Sequence, residues 1–137
     1  MRTLIDTNVV LDVFLKRQPH YAASNKILKL ARRQQIRGAV AAHSLANLFY
    51  LSGKACLPFI RDHLLEDCET VCGNSHQTKT SLNLGLADLE DALQVSAALE
   101  WKAAFIVTRN VRDFKRSPVP ALSPAEWIKR FGPDLKS

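Results

Sequence analysis

Hydrophobic and polar residues alternate along the chain in two ways, one typical of strands and the other of helices. Short apolar runs predict four buried strands, at "TLI" (3–5), "IRGAVAA" (36–42), "ETVCG" (69–73) and "AAFIVT" (103–108). Between these runs apolar residues recur at helical spacing, as over 21–35, where charged side chains fill many of the other positions. Strands that alternate with helices predict a parallel sheet covered on both faces by helices.

Capping and breaking residues predict where the helices begin and end. Asp88 starts a strong helix that runs through Trp101, and Ser123-Pro124 opens the last helix with proline in its first turn. Ser44 is predicted to cap a helix that carries Leu45, Leu48 and Phe49 on one stripe. The remaining helices are predicted at "VVLDVFL" (9–15), "FIRDHLLED" (59–67, after an interruption at Pro58) and 74–84 (closed by Gly85), and a short edge segment lies around Pro118 and Pro120.

Composition narrows the class of protein. The 137 residues suffice for one domain with its own core, and 47% hydrophobic against 23% charged residues excludes a disordered chain. The net charge of +6 is spread along the chain, so it permits a polyanionic partner without indicating one. No signal peptide or membrane-spanning run is evident, and an odd count of three cysteines fits a reducing compartment. We therefore expect a cytoplasmic protein without membrane association.

Acidic residues follow strand ends and open a helix at three separate places. Asp6 ends the first strand, Asp88, Glu90 and Asp91 open the helix in the second half, and Asp113 lies just beyond the strand that ends at Thr108. In a parallel sheet the carboxyl ends of the strands share one edge, where ligands bind. For each acid alone, helix capping or solvation is the better explanation of its presence. The coincidence of three segments predicts a shared acidic pocket.

The spacing of the acids along the predicted helix shows which of them share a face. Asp88 and Asp91 are three residues apart and share a face, whereas Glu90 points roughly 100° away from Asp91. Clustered carboxylates repel one another unless they are protonated or bridged by a cation. Oxygen ligands without nearby cysteine or histidine suit Mg²⁺ or Mn²⁺. Such an ion could activate water for attack on a phosphodiester, so the predicted chemistry is phosphodiester hydrolysis.

Two other kinds of site have weaker support. Cys68, Cys72 and His76, with His63 upstream, suggest a zinc site, but their spacing departs from the usual C-x2-C pairing and small buried thiols on one strand face explain the cysteines. A nucleotide-binding domain would need a glycine-rich phosphate loop after a strand, and none is present in the sequence.

Three segments together resemble the PIN-domain family, in particular the VapC-type toxins of toxin–antitoxin pairs. They are "LIDTNVVLDVF" at the start, "ADLEDALQVSAAL" in the second half and "FIVTRNVRDF" after it. The resemblance implies a single PIN-like domain over 1–137, with a Rossmann-like three-layer α/β fold and a central parallel sheet of four to five strands. It also implies a Mg²⁺- or Mn²⁺-dependent endoribonuclease.

The resemblance assigns roles to particular residues. The family's acids fall on Asp6, Asp91 and Asp113 as catalytic and metal-binding residues, and Asp88 assists them in holding the metal. Supporting polar positions fall on Thr7, Asn8, Thr108 and Asn110. From the residues themselves, Arg109 and Arg112 flank the acidic loop and are candidates for gripping the RNA backbone, although solvated surface arginines explain them equally well.

One position departs from the family pattern. Members commonly carry a glutamate on the helix after the second strand, where this chain has Asn47. Asparagine still offers a carbonyl oxygen to a metal or a water, but it removes one negative charge. Asn47 is therefore a weaker candidate for the catalytic set, and a module that binds RNA or a protein without cleaving stays open. His43, one turn earlier, either stands near the site or is a surface residue.

The resemblance also implies partners. A toxin of this type pairs with a small antitoxin that covers the acidic cleft, and it forms a homodimer. Trp101 and Trp127 lie in predicted helices, where core or interface positions are more plausible than base stacking.

Overall fold

The chain forms one five-stranded sheet in which all the paired strands run parallel. The structure, a computed structural model, describes residues 1–86 and 88–132, so the predicted domain of 1–137 extends beyond the described residues at 87 and 133–137. The strand order is β3-β2-β1-β4-β5, which places the first strand in the middle. The strands are β1 (Arg2–Ile5), β2 (Arg37–Ala41), β3 (Cys68–Val71), β4 (Phe105–Val107) and β5 (Ala121–Leu122).

Helices fill every connection between the strands except the one that leads to β5, which contains a 3-10 turn. The helices are α1 (Thr7–Phe14), α2 (Tyr21–Arg32), α3 (Ala42–Ser52), α4 (Leu57–Phe59), α5 (Leu65–Asp67), α6 (Ser75–Leu82), α7 (Leu89–Trp101) and α8 (Pro124–Phe131). A 3-10 turn (Lys54–Cys56) precedes α4, a π-helical turn (Ile60–Leu64) joins α4 to α5, and a second 3-10 turn covers Val111–Phe114.

Each buried strand sends alternate side chains into two separate hydrophobic layers. In β1, Leu4 belongs to one buried cluster and Ile5 to the other. The cluster around Ile5 includes the fully buried Trp127 of α8, while the cluster around Leu4 includes Val95 of α7. Because both faces are covered, the strands read as nearly continuous apolar runs. The predicted three-layer α/β fold is confirmed.

Several local expectations were wrong. Pro58 does not interrupt a helix; it lies in the first turn of α4, where no intrahelical N–H is needed. Ser44 does not cap α3, because the helix begins at Ala42 and buries the Ser44 side chain. Phe49 leaves the buried stripe and is 41% exposed. Cys72 lies beyond the end of β3 and is exposed, whereas Cys68 is buried.

The strand order reverses beside β1, and this positions the site. β1 pairs with β2 on one side and with β4 on the other, so the chain crosses the sheet between them. Asp6 follows β1 directly, and its backbone N–H donates to the Val107 carbonyl of β4 at 2.9 Å. Such a switch point leaves a crevice at the carboxyl ends of the strands. Among the described residues, none of the helices has the length and apolar character needed to cross a membrane.

Candidate active site

Asp6 stands at the bottom of this crevice with both carboxylate oxygens engaged. Its Oδ1 accepts hydrogen bonds from the Thr7 backbone N–H at 2.8 Å and from Gln94 Nε2 at 2.9 Å. Its Oδ2 accepts from the Thr108 hydroxyl at 2.7 Å and from Asn8 Nδ2 at 3.3 Å. Asp6 is also the N-cap of α1, so the capping role and the pocket position coincide in one residue.

Gln94 is a site residue that the sequence reasoning missed. It is 0% exposed, and its Nε2 also donates to the Ser44 hydroxyl oxygen at 2.8 Å. That same oxygen accepts from the Thr7 hydroxyl at 2.8 Å, so α1, α3 and α7 meet at one polar junction. The signal was present in the sequence, because Gln94 is a polar residue three positions after Asp91 inside an apolar run.

Three further aspartates surround the mouth of the crevice. Asp88 caps α7 by accepting from the Asp91 backbone N–H at 2.8 Å, as the sequence predicts. Burial, together with the negative charges of Asp88, Asp113 and Asp6, raises the pKa of Asp91 to about 7. Four of the sequence-predicted acids therefore act on one another electrostatically. Asp91 Oδ2 is buried and has no hydrogen-bond partner among the described residues.

Burial dominates the ionisation of Asp6. It raises the pKa of this carboxyl to about 6, although the hydrogen bonds from Thr108 and Thr7 lower it. The charges of Glu90 and Asp88 add to the increase. Glu90 also raises the pKa of His43, which burial otherwise lowers. The charge of Glu90 therefore acts on Asp6 and His43, and its orientation about 100° from Asp91 on the helix stays a prediction.

The predicted supporting residues do converge on Asp6. Asn8 Nδ2 also approaches the Thr108 hydroxyl oxygen at 3.3 Å, and the backbone N–H of Asn110 donates to the same oxygen at 3.0 Å. The backbone N–H of Arg109 donates to Asn8 Oδ1 at 3.2 Å. These bonds hold the loop after β4 against the start of α1, next to the Asp6 carboxylate.

The Arg109 side chain points inward rather than along the crevice. Its Nε lies 2.7 Å from Oδ2 of Asp12, a carboxylate that is 0% exposed. Arg17 Nε lies 3.1 Å from the other oxygen of Asp12, and the Ser24 hydroxyl donates to Oδ2 at 3.1 Å. Arg109 is thus engaged in a buried ion pair, while Arg112 is exposed. Contact of either arginine with RNA remains a prediction.

Asn47 lies in α3, and none of the hydrogen bonds found among the described residues involves its side chain. It is partly exposed and follows Ser44 by three residues, which places both on the same side of α3. His43 is also only partly exposed, and its Nε2 is buried without a hydrogen-bond partner among the described residues. His43 thus lies at the start of α3, as predicted, with one ring nitrogen buried, and its place near the site stays a prediction.

Carboxylate oxygens are the ligands that a hard divalent cation prefers, but the acidic side chains are not arranged around a common point. Within residues 1–86 and 88–132, no three His, Cys, Asp or Glu side chains are arranged so that they could hold a metal ion. Asp91 nevertheless has a buried oxygen without a donor and lies in the field of three other carboxylates. A cation that binds oxygen would relieve both features. The zinc alternative fits poorly, because Cys68 is buried while Cys72 is exposed, and within the described residues these cysteines form no metal-holding group with a histidine.

Solved structures share this fold over nearly their whole length. VapBC2 from Rickettsia felis, bound to a DNA fragment from its promoter, matches with a TM-score of 0.68 at 23% identity, covering 90% of this chain and 98% of that one. A toxin–antitoxin complex from Klebsiella pneumoniae matches with 0.65 at 20%, covering 89% and 97%. FitAcB from Neisseria gonorrhoeae matches with 0.66 at 15%, covering 90% and 98%. No curated protein matches the sequence significantly.

A family comparison extends the likeness from fold to sequence. The PIN domain family matches residues 2–112, a range that contains Asp6, Asn47 and Asp91. It covers β1 to β4 and the helix α7 that carries two of the acids, whereas β5 and Asp113 lie beyond it. The chain therefore belongs to the PIN domain family.

Proposed function

We propose that this protein is a Mg²⁺- or Mn²⁺-dependent endoribonuclease and the toxin of a type II toxin–antitoxin pair, acting in the cytoplasm. One observation carries the proposal of a metal-dependent nuclease. Asp91 keeps a buried oxygen without a donor while the charges of Asp88, Asp113 and Asp6 surround it. Carboxylates gathered in this way repel one another in their ionised form, and a bridging cation relieves the repulsion.

In this proposal the acidic residues bind the cation, and Asn47 has a supporting role. Asp6, Asp91 and Asp113 hold the cation with help from Asp88, and Asn47 orients a water or offers its carbonyl oxygen. The chemistry supplied by bound Mg²⁺ or Mn²⁺ is polarisation of the phosphoryl group and a lower pKa for the attacking water.

Polar neighbours keep the main carboxylate in place. Thr108 and Asn8 hold Asp6 Oδ2, and Gln94 holds Oδ1, so the Asp6 side chain is fixed before substrate arrives. The Asn8 contact, at 3.3 Å, is the longest of the four, and we expect it to yield first when Oδ2 takes up a cation.

RNA cleavage tests the proposal. The purified protein should cut a mixture of single-stranded and hairpin RNAs in Mn²⁺ or Mg²⁺, and excess EDTA should stop the reaction. Asp6→Asn should abolish cleavage, with circular dichroism showing that the fold survives. Cleavage that persists in EDTA, or in folded Asp6→Asn protein, would overturn the assignment.

A second function is favoured by two observations. Asn47 stands where the family commonly has an acid, and four donors already occupy the oxygens of Asp6. Both features weaken a metal site, so the alternative is a PIN domain that binds RNA or a protein without cleaving. RNA binding that is equal with and without EDTA, with the RNA left intact, would favour this alternative.

Protein partners form part of the proposal. The similar structures from Rickettsia felis and Klebsiella pneumoniae are a VapBC assembly and a toxin–antitoxin complex. In this chain α3 exposes Phe49, Tyr50 and Leu51, with Tyr50 at 88% exposure, and large exposed apolar side chains in a row are typical of protein contacts. We propose a small antitoxin and a second copy of the chain as partners. Light scattering of the purified chain, alone and with the product of a neighbouring reading frame, tests both.

A further inference from the structure

One buried carboxylate, that of Asp12 in α1, has no role in the chemistry proposed above. Its side chain is 0% exposed. Arg17 Nε lies 3.1 Å from its Oδ1, Arg109 Nε lies 2.7 Å from its Oδ2, and the Ser24 hydroxyl donates to Oδ2 at 3.1 Å. These partners come from the connection between α1 and α2, from the loop after β4 and from α2 itself. Three separate segments therefore meet at one buried carboxylate.

Stability alone does not account for a charge in this position. A carboxylate loses its hydration when it is buried, and the attraction of its partners offsets that loss only in part. Apolar side chains of similar volume often give equal or greater stability at such a position. The best-attested use of a buried ion pair is to specify one arrangement of the chain. The contacts of Arg109 show which arrangement Asp12 specifies.

Arg109 is held by α1 at two points, one on its side chain and one on its backbone. Its Nε has no hydrogen-bond partner among the described residues, so the contact with Asp12 is an ion pair without a directed hydrogen bond. Its backbone N–H donates to Asn8 Oδ1 at 3.2 Å. Asn8 and Asp12 are four residues apart and share one face of α1. Both contacts therefore fix the loop after β4 against that face.

The same Asn8 amide orients the carboxylate of Asp6. Asn8 Nδ2 donates to Asp6 Oδ2 at 3.3 Å, while Asn8 Oδ1 accepts from Arg109. Thr108, the residue before Arg109, donates to the same Asp6 oxygen at 2.7 Å. A displacement of Arg109 would therefore disturb both of the side chains that donate to Asp6 Oδ2.

We propose that Asp12 and Arg109 are positioning residues of the nuclease site. Asp12 anchors the Arg109 side chain, and this anchor keeps Asn8 and Thr108 in place on Asp6. The inference rests on the proposed function, and it gives Arg109 a role other than contact with RNA. The two roles differ in kinetics, because loss of a residue that only binds RNA raises KM, whereas loss of a positioning residue lowers kcat.

Arg109→Met tests the anchor, because methionine keeps a long side chain without the charge. Arg17 still pairs with Asp12 in this variant, so we expect the fold to survive. Ser24→Ala is the matched control, since it removes a buried donor from the same Asp12 oxygen but does so from α2 rather than from the loop after β4. Thermal unfolding in EDTA gives the stability of both variants.

Hydrogen exchange of the metal-free protein, followed by NMR, reports on the anchor without relying on activity. The backbone N–H groups of residues 109 and 110 make the hydrogen bonds that the anchor maintains. In native protein we expect both to be protected, as is the N–H of Ile106, which is hydrogen-bonded within the sheet. In Arg109→Met their protection should fall by about tenfold or more relative to that of Ile106. Ser24→Ala should leave that ratio unchanged.

RNA cleavage separates positioning from contact with RNA, and it separates this inference from the proposed function. We expect Arg109→Met to lower kcat by about tenfold or more with KM little changed. A raised KM with unchanged kcat would overturn the inference, as would an unchanged ratio of protection or unprotected amides at 109 and 110 in native protein. Native protein that cuts no RNA would overturn the proposed function, and hydrogen exchange would still decide whether Asp12 anchors the loop.

Discussion

Neutralising Asp91 should stabilise the metal-free protein at neutral pH, although it removes a functional group. The pKa of Asp91 rises from 3.8 to about 7 on folding, mainly through burial and then through its acidic neighbours. A raised carboxyl pKa means that the fold disfavours the ionised form. The contribution of protonated Asp91 to the free energy of unfolding is therefore fully present below about pH 4, and it is lost progressively as pH rises through 7. Asp91→Asn cannot ionise, so it should escape this loss.

The size of the expected stabilisation follows from the pKa shift of Asp91 and from the exposure of its side chain. Three pKa units correspond to about 4 kcal/mol at about 1.4 kcal/mol each. Because the side chain is partly exposed, solvent screening reduces this to about 1 kcal/mol. For a domain of this size the gain corresponds to roughly 3 °C in Tm. The backbone N–H of residue 91, which donates to Asp88 Oδ1, is unchanged in the variant.

Thermal unfolding in EDTA at pH 4 and at pH 7.5 measures the effect. Asp91→Asn should melt about 3 °C higher than native protein at pH 7.5, and the two should coincide at pH 4. Mn²⁺ at about a hundred times its Kd should add about 2.7 kcal/mol to the native protein alone, which reverses the order. A variant that is less stable in EDTA at pH 7.5, or a difference that does not depend on pH, would refute the reasoning. Glu66→Gln serves as the control.

Three further variants probe the surroundings of the acids. Gln94→Leu removes the amide that donates to Asp6 and Ser44, so urea unfolding should show a loss of about 1–3 kcal/mol in the free energy of unfolding. An unchanged unfolding midpoint would contradict a stabilising role for these hydrogen bonds. Asp12→Asn leaves two arginine side chains around a buried neutral group, and we expect a loss of about 3–5 kcal/mol in the same assay; a loss under 1 kcal/mol would show that the pair contributes little. Thr108→Val removes the shortest bond to Asp6 and should move the pH midpoint of Mn²⁺ binding upward, whereas a downward shift would oppose this account.

The fold could be predicted because its signals are local and repeated. The apolar run at 103–108 and the strand that ends at Asp6 have the composition of strands buried on both faces, and the parallel arrangement follows from their alternation with helices. Helix starts were predicted where the cap is a short polar side chain that bonds its own helix, as at Asp88 and Ser123. Ser44 looked the same in sequence, but tertiary contacts with Thr7 and Gln94 take its hydroxyl.

The site could be predicted only in part because its contacts are long-range. Asp6 and Thr108 were expected together, since both follow adjacent parallel strands. Gln94 was missed because its partner is 88 residues away, and its place inside an apolar run three positions after Asp91 does not by itself identify that partner. Arg109 was expected to face solvent for the same reason. Its partner Asp12 lies inside an apolar helix, where its burial is visible only in three dimensions.

The central claim is that the acids at the carboxyl edge of the sheet hold a divalent cation despite Asn47. Calorimetric titration of the metal-free native protein with Mn²⁺ at pH 7.5, beside Asp91→Asn, tests it most directly. We expect saturable binding to the native protein and none to the variant, with both proteins folded. Equal binding to the two proteins, or no binding to either, would contradict the claim.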